Sequence, residues 1–298
     1  MVALNNLASS TMMQVVSLHR YAVKGLSCDN METVIIDKSF PFDRQYALIK
    51  SNKRSLLKDK EPEWLHKENF LCAFTANDLL ANFDAQFKDD EAELTLWKRI
   101  YDDKHGFMLS DTRAAEPLFS VKLDTVSGRA KVSEFFSNAC GEGVELVTVG
   151  KDFQFGNTRS GVKARGNTRT CHIVNAATVR QVSEKLGVQL DPLRFRPNII
   201  VDGLEPWAEF DAVGKHLVSS EGDLMFDVVS RTVRCDGISV DPLDPKTILD
   251  LPLLLNQHFP EHGPYLGVYA VVDQPGILST GDTLMWIVEV LSKILDNH

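Results

Sequence analysis

The sequence predicts a mainly β fold with some α, in two packed units. Three observations lead there. Most apolar stretches alternate with period two over strand lengths, helical periodicity is confined to the second half, and no Pro/Gly-rich linker, repeat or low-complexity tract separates the halves. Val15–Val23 alternates, and Thr33–Ile36 and Gln45–Lys50 follow at strand length. Glu93–Lys98 alternates after the acidic turn Lys88–Glu91. Short, closely spaced strands of this kind suggest a barrel or sandwich, so residues from about 14 to 120 form one expected all-β unit. In the second half Gly143–Val149, Asn198–Val201, Leu224–Val229, Gly267–Val272 and Thr283–Ile287 are strand candidates. Val179, Val182 and Leu186 share one helical face, with Asn175 placed to cap the helix and Gly187 to end it. Glu289–Leu295 fits a short closing helix, and any boundary near 110–130 is a junction between packed units.

With 298 residues, 44% hydrophobic and 24% charged, the chain has the composition of a globular protein, which excludes a disordered chain, a fibre or a disulfide-rich miniprotein. A net charge of −9 argues against nucleic acid as a partner, because phosphate backbones are held by excess positive charge. The five cysteines (Cys28, Cys72, Cys140, Cys171 and Cys235) are widely spaced, odd in number and without a CxxC pair, which fits free thiols in a reducing compartment. No stretch has the length of a membrane span, and Met1–Met13 lacks the features of a signal or transit peptide. A cytoplasmic protein with no membrane anchor is expected.

Charge is unevenly distributed. Arg159, Lys163, Arg165, Arg169, Arg180, Lys185, Arg194 and Arg196 face only Glu184 and Asp191 between residues 159 and 200, a local balance of +6. If Leu193–Asn198 is extended, Arg194 and Arg196 point to one face. Either they belong to a solvated, ion-paired surface run or they line a pocket for a small anion. His258 and His262 have metal-pair spacing, but Pro260 between them disfavours the helix that would align them. The chain has no dinucleotide fingerprint, P-loop, GxSxG or HExxH. Cys235 follows Arg231-Thr232-Val233-Arg234 and precedes Asp236-Gly237. Positive neighbours favour a thiolate, which is a nucleophile or a soft metal ligand; the alternative is an inert buried thiol.

Five segments in order resemble the MOSC family with its N-terminal β-barrel partner, the family of the molybdenum cofactor sulfurase C-terminal domain and the mitochondrial amidoxime reducing component. They are Tyr21-Ala22-Val23-Lys24-Gly25, Asp43-Arg44-Gln45-Tyr46, Phe195-Arg196-Pro197-Asn198-Ile199, Arg234-Cys235 with Val240-Asp241-Pro242, and Tyr269 with Pro275-Gly276 and Gly281-Asp282. The resemblance implies an N-terminal β-barrel unit at 14–120 packed on a MOSC β-barrel domain at 121–291. It implies the molybdenum cofactor (molybdenum-molybdopterin), with Cys235 as metal ligand and catalytic residue. Lys24, Gly25, Arg44, Asn175, Arg196, Asn198, Val233, Arg234 and Tyr269 would lie around the pterin and its phosphate, and pyridoxal phosphate is not expected. Gly25 stands where the family commonly has serine, Ala22 where it has proline, and Asp236 adds a carboxylate beside the cysteine. The implied activity is reduction of N-hydroxylated or N-oxide small molecules, with electrons from a separate donor protein; Asp236 or Asp241 would relay protons or serve the turn. The alternatives are a sulfur-transfer, cofactor-carrier or sulfurase-type protein, and a degenerate module binding another anion.

Overall fold

The computed structural model describes residues 12–57, 65–102, 107–150, 153–156, 169–242 and 248–286. The strands run in chain order as β1 (Met12–Arg20), β2 (Asp29–Met31), β3 (Thr33–Ile36), β4 (Tyr46–Lys50), β5 (Phe70–Leu71), β6 (Phe83–Lys88), β7 (Glu93–Asp102), β8 (Phe107–Arg113) and β9 (Phe119–Lys122). They continue as β10 (Val144–Thr148), β11 (Cys171–Asn175), β12 (Ile199–Asp202), β13 (His216–Ser219), β14 (Met225–Val233), β15 (Tyr265–Gln274), β16 (Gly276–Ser279) and β17 (Thr283–Trp286). The helices are α1 (Asn77–Leu80), α2 (Val126–Cys140), α3 (Ala176–Leu186) and α4 (Leu251–His258).

Seven strands close a barrel in the order β12-β11-β15-β14-β13-β17-β1, with β1 returning to β12. The pairs are antiparallel except β11–β12, and α3 supplies the crossover a parallel pair requires. β1 buries Met13 and Val15 and turns Met12, Gln14 and Val16 outward; its register shifts between Val15 and Ser17, where a bulge bends it around the barrel. The core behind these strands includes Leu18, Ile173, Ile199, Val201, Phe226, Val228, Val268 and Leu284. β11 is buried at all five positions, so its sequence shows no alternation.

Beside the barrel, β4 lies between β5 and β10, and β7 pairs with β6, β8 and β9. α2 covers these sheets. Its buried side chains Val132 and Phe136 are four apart, and Phe83, Phe119, Phe135 and Phe136 meet at 5.1–5.6 Å in edge-to-face contacts. α2 starts where the Thr125 hydroxyl accepts from Gly128 N, and a Cβ on Gly128 would lie 1.9 Å from Lys122 O, so only glycine fits this approach.

The expected helix is α3, with Asn175 Oδ1 accepting from Ala177 N and Gly187 at φ +66 ending it. The junction expected at 120/121 is crossed by hydrogen bonds: β1 and β2 join the barrel, while α2 and β10 pack with β4 and β9. The reason is closure, since β12 and β17 would otherwise keep free edges. Ile287, the closing helix Glu289–Leu295, the segment before Met12, and Arg159, Lys163 and Arg165 lie outside the described residues. No helix among the described residues is long and apolar enough to cross a membrane.

Candidate functional site

Two turns start the site. After β1 the chain leaves the barrel at Tyr21, and Val23 bridges to Tyr46 so that Lys24 N donates to Tyr46 O at 2.8 Å. The second turn, Pro41–Arg44, holds Phe42 and Arg44 in the left-handed region at φ +58 and +48. Asp43, fully buried, fixes both: Oδ1 accepts from Tyr21 N at 2.9 Å and Oδ2 pairs with Arg44 Nη1 at 2.5 Å. Arg44 also donates to Asn198 Oδ1 (3.3 Å) and to Arg196 O (2.9 Å). Its guanidinium lies 4.6 Å from the Tyr21 ring, on which Arg196 also packs at 4.2 Å.

The segment carrying Arg194 and Arg196 is a short 3-10 helix, Pro192–Phe195, capped by Asp191, and Arg196 follows in the left-handed region at φ +53. The two arginines therefore do not share a face, which corrects the extended-chain expectation. Arg194, buried, donates to Ile238 O, Ser239 O and Asp241, and so fastens the turn that follows Cys235. Arg196 turns the other way, donating to Leu26 O at 2.9 Å. Asn198 is fully buried and uses its amide within the fold: Oδ1 accepts from His172 N and Arg44, and Nδ2 donates to His19 O. It orients Arg44 from beneath.

The third component is the end of β14. Arg234 donates to Phe195 O (2.8 Å) and to His172 Nε2 (3.3 Å), and its Nε is buried with no partner. His172 Nδ1 meets Arg196 O at 3.3 Å, and its ring packs on Tyr269 at 5.3 Å. Cys235 follows on the surface at the start of a short 3-10 turn, Asp236–Ile238. Gly237 brings this turn against Ala73, and Gly25 brings Lys24 against Cys72. Gly25 has φ +95, and a Cβ there would stand 2.9 Å from Cys72 Cα and 2.8 Å from Leu80 Cδ1. The missing serine hydroxyl is thus a backbone requirement in this chain. All five cysteines are free; burial pushes the Cys28 thiol up to about 11 and Cys171 to about 12, which leaves Cys235 as the exposed sulfur.

Arg44 and Arg196 lie on Tyr21, Arg234 interacts with Tyr269, and Lys24 lies over Phe70 within electrostatic reach of Arg44 and Arg196; among the described residues only Arg44 of these four contacts a carboxylate. Burial pulls the Lys24 ammonium below its usual value; Cys72 and Cys235 oppose this, and Arg44 and Arg196 add to it. Burial also pulls Arg196 and Arg234 down and raises Tyr21 and Tyr269. An anion entering here would relieve the mutual repulsion of these cations.

Of the residues expected from the sequence, Lys24, Gly25, Arg44, Arg196, Asn198, Arg234, Cys235 and Tyr269 meet in this region, and Val233 precedes the arginine on β14. Asn175 goes elsewhere. Fully buried, it caps α3 and donates to Glu205 O and to the Glu209 carboxylate. His262 stacks on Trp207 at 4.2 Å. Sequence reasoning missed Tyr21 as the platform, Asp43 as the anchor and His172 as the link; a lone histidine in a wholly buried strand carries no spacing signal.

It also missed Glu209, buried against Thr178 and Asn175. Burial raises its carboxyl from 4.5 to about 7. A raised folded-state value means that its contribution is fully present below the unfolded value and is lost as pH rises through 7. A difference of that size corresponds to about 3 kcal/mol. Glu209→Gln is expected to gain stability over the parent by about that amount between pH 4.5 and 8. Parallel pH profiles of the two proteins in chemical denaturation would refute this.

The barrel strands from β11 onward, apart from Trp286 at the end of β17, and the Arg194, Arg196 and Arg234 turns fall within residues 151–285, which match the MOSC domain. Residues 151–285 are a MOSC domain. Over 265 residues, 85% of this chain and 33% of its relative, the chain is 26% identical to a molybdenum cofactor sulfurase of Caenorhabditis elegans. A molybdenum cofactor sulfurase of Caenorhabditis briggsae is 34% identical over 100 residues, 32% of this chain and 14% of that protein. The chain spans about a third of the length of the first relative and less of the second. Among solved structures, the YuaD protein of Bacillus subtilis has a TM-score of 0.39 at 11% identity, covering 92% of this chain and 94% of that one. YiiM from Geobacillus stearothermophilus has a TM-score of 0.31 at 21% identity, covering 40% and 54%.

Proposed function

We propose that this MOSC protein binds the molybdenum cofactor and acts as an oxidoreductase on N-hydroxylated or N-oxide substrates. The observation that carries the binding is the cluster of Lys24, Arg44, Arg196 and Arg234, three of them without a carboxylate among the described residues, beside an exposed free thiol. The residues fit the group on chemical grounds. Arg234 keeps a buried N–H without a partner, arginine forks suit a phosphate, and a cysteine sulfur suits a soft metal. Lys24, Arg44, Arg196 and Arg234 would hold the phosphate and pterin, and Cys235 would ligate the metal. When bound, the group supplies two-electron oxygen-atom transfer.

The chain's own residues supply position and charge. Arg194 holds the turn after Cys235 through three hydrogen bonds, so the sulfur sits on a fastened segment. Asp241 is engaged by Arg194, which leaves the exposed Asp236 as the carboxylate able to pass protons beside Cys235. Electrons would come from a separate donor protein in the cytoplasm.

A second reading, a sulfurase-type or cofactor-carrying protein, is favoured by the names of both relatives. Elemental mass spectrometry on protein from a cofactor-producing host tests the shared part. Near-stoichiometric molybdenum is expected in the parent and a large loss in Cys235→Ser. Turnover of an amidoxime with an artificial reductant then supports the reductase, and full loading without turnover supports the carrier. Absence of metal and pterin from the parent overturns both.

A further inference from the structure

We propose that His172 is a positioning residue of the anion site: it accepts from Arg234 and donates to the Arg196 carbonyl, and so fixes relative to each other two arginines that contact no carboxylate among the described residues. The inference rests on the cations binding an anion, as argued above, and goes beyond it by assigning the device that sets their geometry.

A guanidinium N–H can only donate, so His172 Nε2, 3.3 Å from Arg234 Nη1, is the acceptor. The ring proton is then on Nδ1, where it points to Arg196 O at 3.3 Å. The imidazole must be neutral to do both. Burial pulls its basicity well down, Arg234 and Arg44 add to this, and the backbone carbonyls of Arg196 and Leu266 oppose it. Backbone contacts hold the ring's residue from both sides, with His172 N donating to Asn198 Oδ1 and His172 O accepting from Asn198 N at 2.7 Å. Space is made for the ring by Gly267, whose Cβ would lie 2.8 Å from Nε2.

With Nη1 on His172 and Nη2 on Phe195 O, the Arg234 fork is held at two points and Nε remains unpartnered. The Arg196 carbonyl is shared by His172 and Arg44, so one neutral ring ties three cationic residues into a single rigid group. Such a ring contributes no charge of its own. It converts mutually repelling side chains into a preorganised donor array.

The test uses inorganic phosphate titrated calorimetrically into the full chain, with unfolding midpoints measured in parallel. His172→Gln places an acceptor near the Nε2 position, and His172→Asn places a donor near Nδ1 but leaves Arg234 without its acceptor. We expect Gln to keep phosphate affinity within about threefold and Asn to weaken it at least tenfold. In an Arg234→Gln background, His172→Asn should then add nothing further. Equal losses in both His172 variants, or additive losses with Arg234→Gln, would show a merely structural histidine and overturn the inference. No loss in either variant would overturn it too. A parent that does not bind phosphate would remove the anion site itself, and the proposed cofactor role with it. The double-variant comparison stays informative if His172→Asn lowers stability, because it compares affinities of folded protein.

Discussion

Arg44→Met is expected to destabilise the chain by about 3 kcal/mol and to abolish retention of any anionic cofactor. The carboxylate of Asp43 is fully buried and paired with Arg44. Removing one partner of a buried ion pair leaves the other charge uncompensated, which typically costs 3–5 kcal/mol. The lower end is expected because Tyr21 N still donates to Asp43 and Arg169 still reaches the carbonyls of Phe40 and Asp43. The same substitution strips a donor from Arg196 O and from Asn198, so the turn bearing Arg196 loosens together with the Tyr21 platform. Arg44→Lys keeps the charge but cannot span Asp43, Asn198 and Arg196 O at once; it should recover stability more than binding. Urea unfolding and molybdenum content measure the two effects. Unchanged stability in Arg44→Met would mean that the pair is not what holds the turn.

Gly25→Ala should cost more than its size suggests. At φ +95 an L-residue is strained by about 1–2 kcal/mol. The added carbon would also meet Cys72 Cα at 2.9 Å and Leu71 O at 3.1 Å, backbone atoms that cannot rotate away. Overpacking of this kind adds about 1–3 kcal/mol, so a total loss of about 3 kcal/mol is expected. Lys24 precedes this residue, and displacement of the Cys72 loop would carry Ala73 away from the Gly237 turn beside Cys235. A variant as stable as the parent, with the same metal content, would show that the two loops move freely.

The sequence was most legible where one residue's chemistry decides local structure. α3 was bounded by Asn175 and Gly187 because an Asn cap and a left-handed glycine act within a single turn. Strands with one buried face, such as β1 and β14, showed their alternation. β11 did not, being buried on both faces. α2 was missed because its buried face is narrow, Gly128, Val132 and Phe136, set among Ser127, Ser133 and Ser137, residues of modest helix propensity. At the site, residue types and order pointed to Lys24, Arg44, Arg196, Arg234 and Cys235, but directions did not. Arg194 and Arg196 diverge because a 3-10 turn and one left-handed residue replace an extended segment, a conformation set by tertiary contacts with Ile238, Ser239 and Leu26. Asn175 was read as a cofactor neighbour; its contacts to Glu205 and Glu209 depend on a segment about thirty positions away, beyond any local pattern.

Barrel closure by β1 has a consequence for biogenesis. β1 ends at Arg20, yet its neighbours in the closed barrel are β12 at Ile199–Asp202 and β17 at Thr283–Trp286. At roughly 5–20 residues per second of synthesis, the first strand waits on the order of tens of seconds for its last neighbour. During that interval the hairpin of β6 and β7 and its cover α2 can assemble from local contacts, while β1 has only the three-residue β2 to pair with. The nascent chain therefore presents Met13, Val15 and Leu18 to the cell before the barrel can hide them, and the ribosome-bound intermediate is the stage at which chaperone holding would matter most.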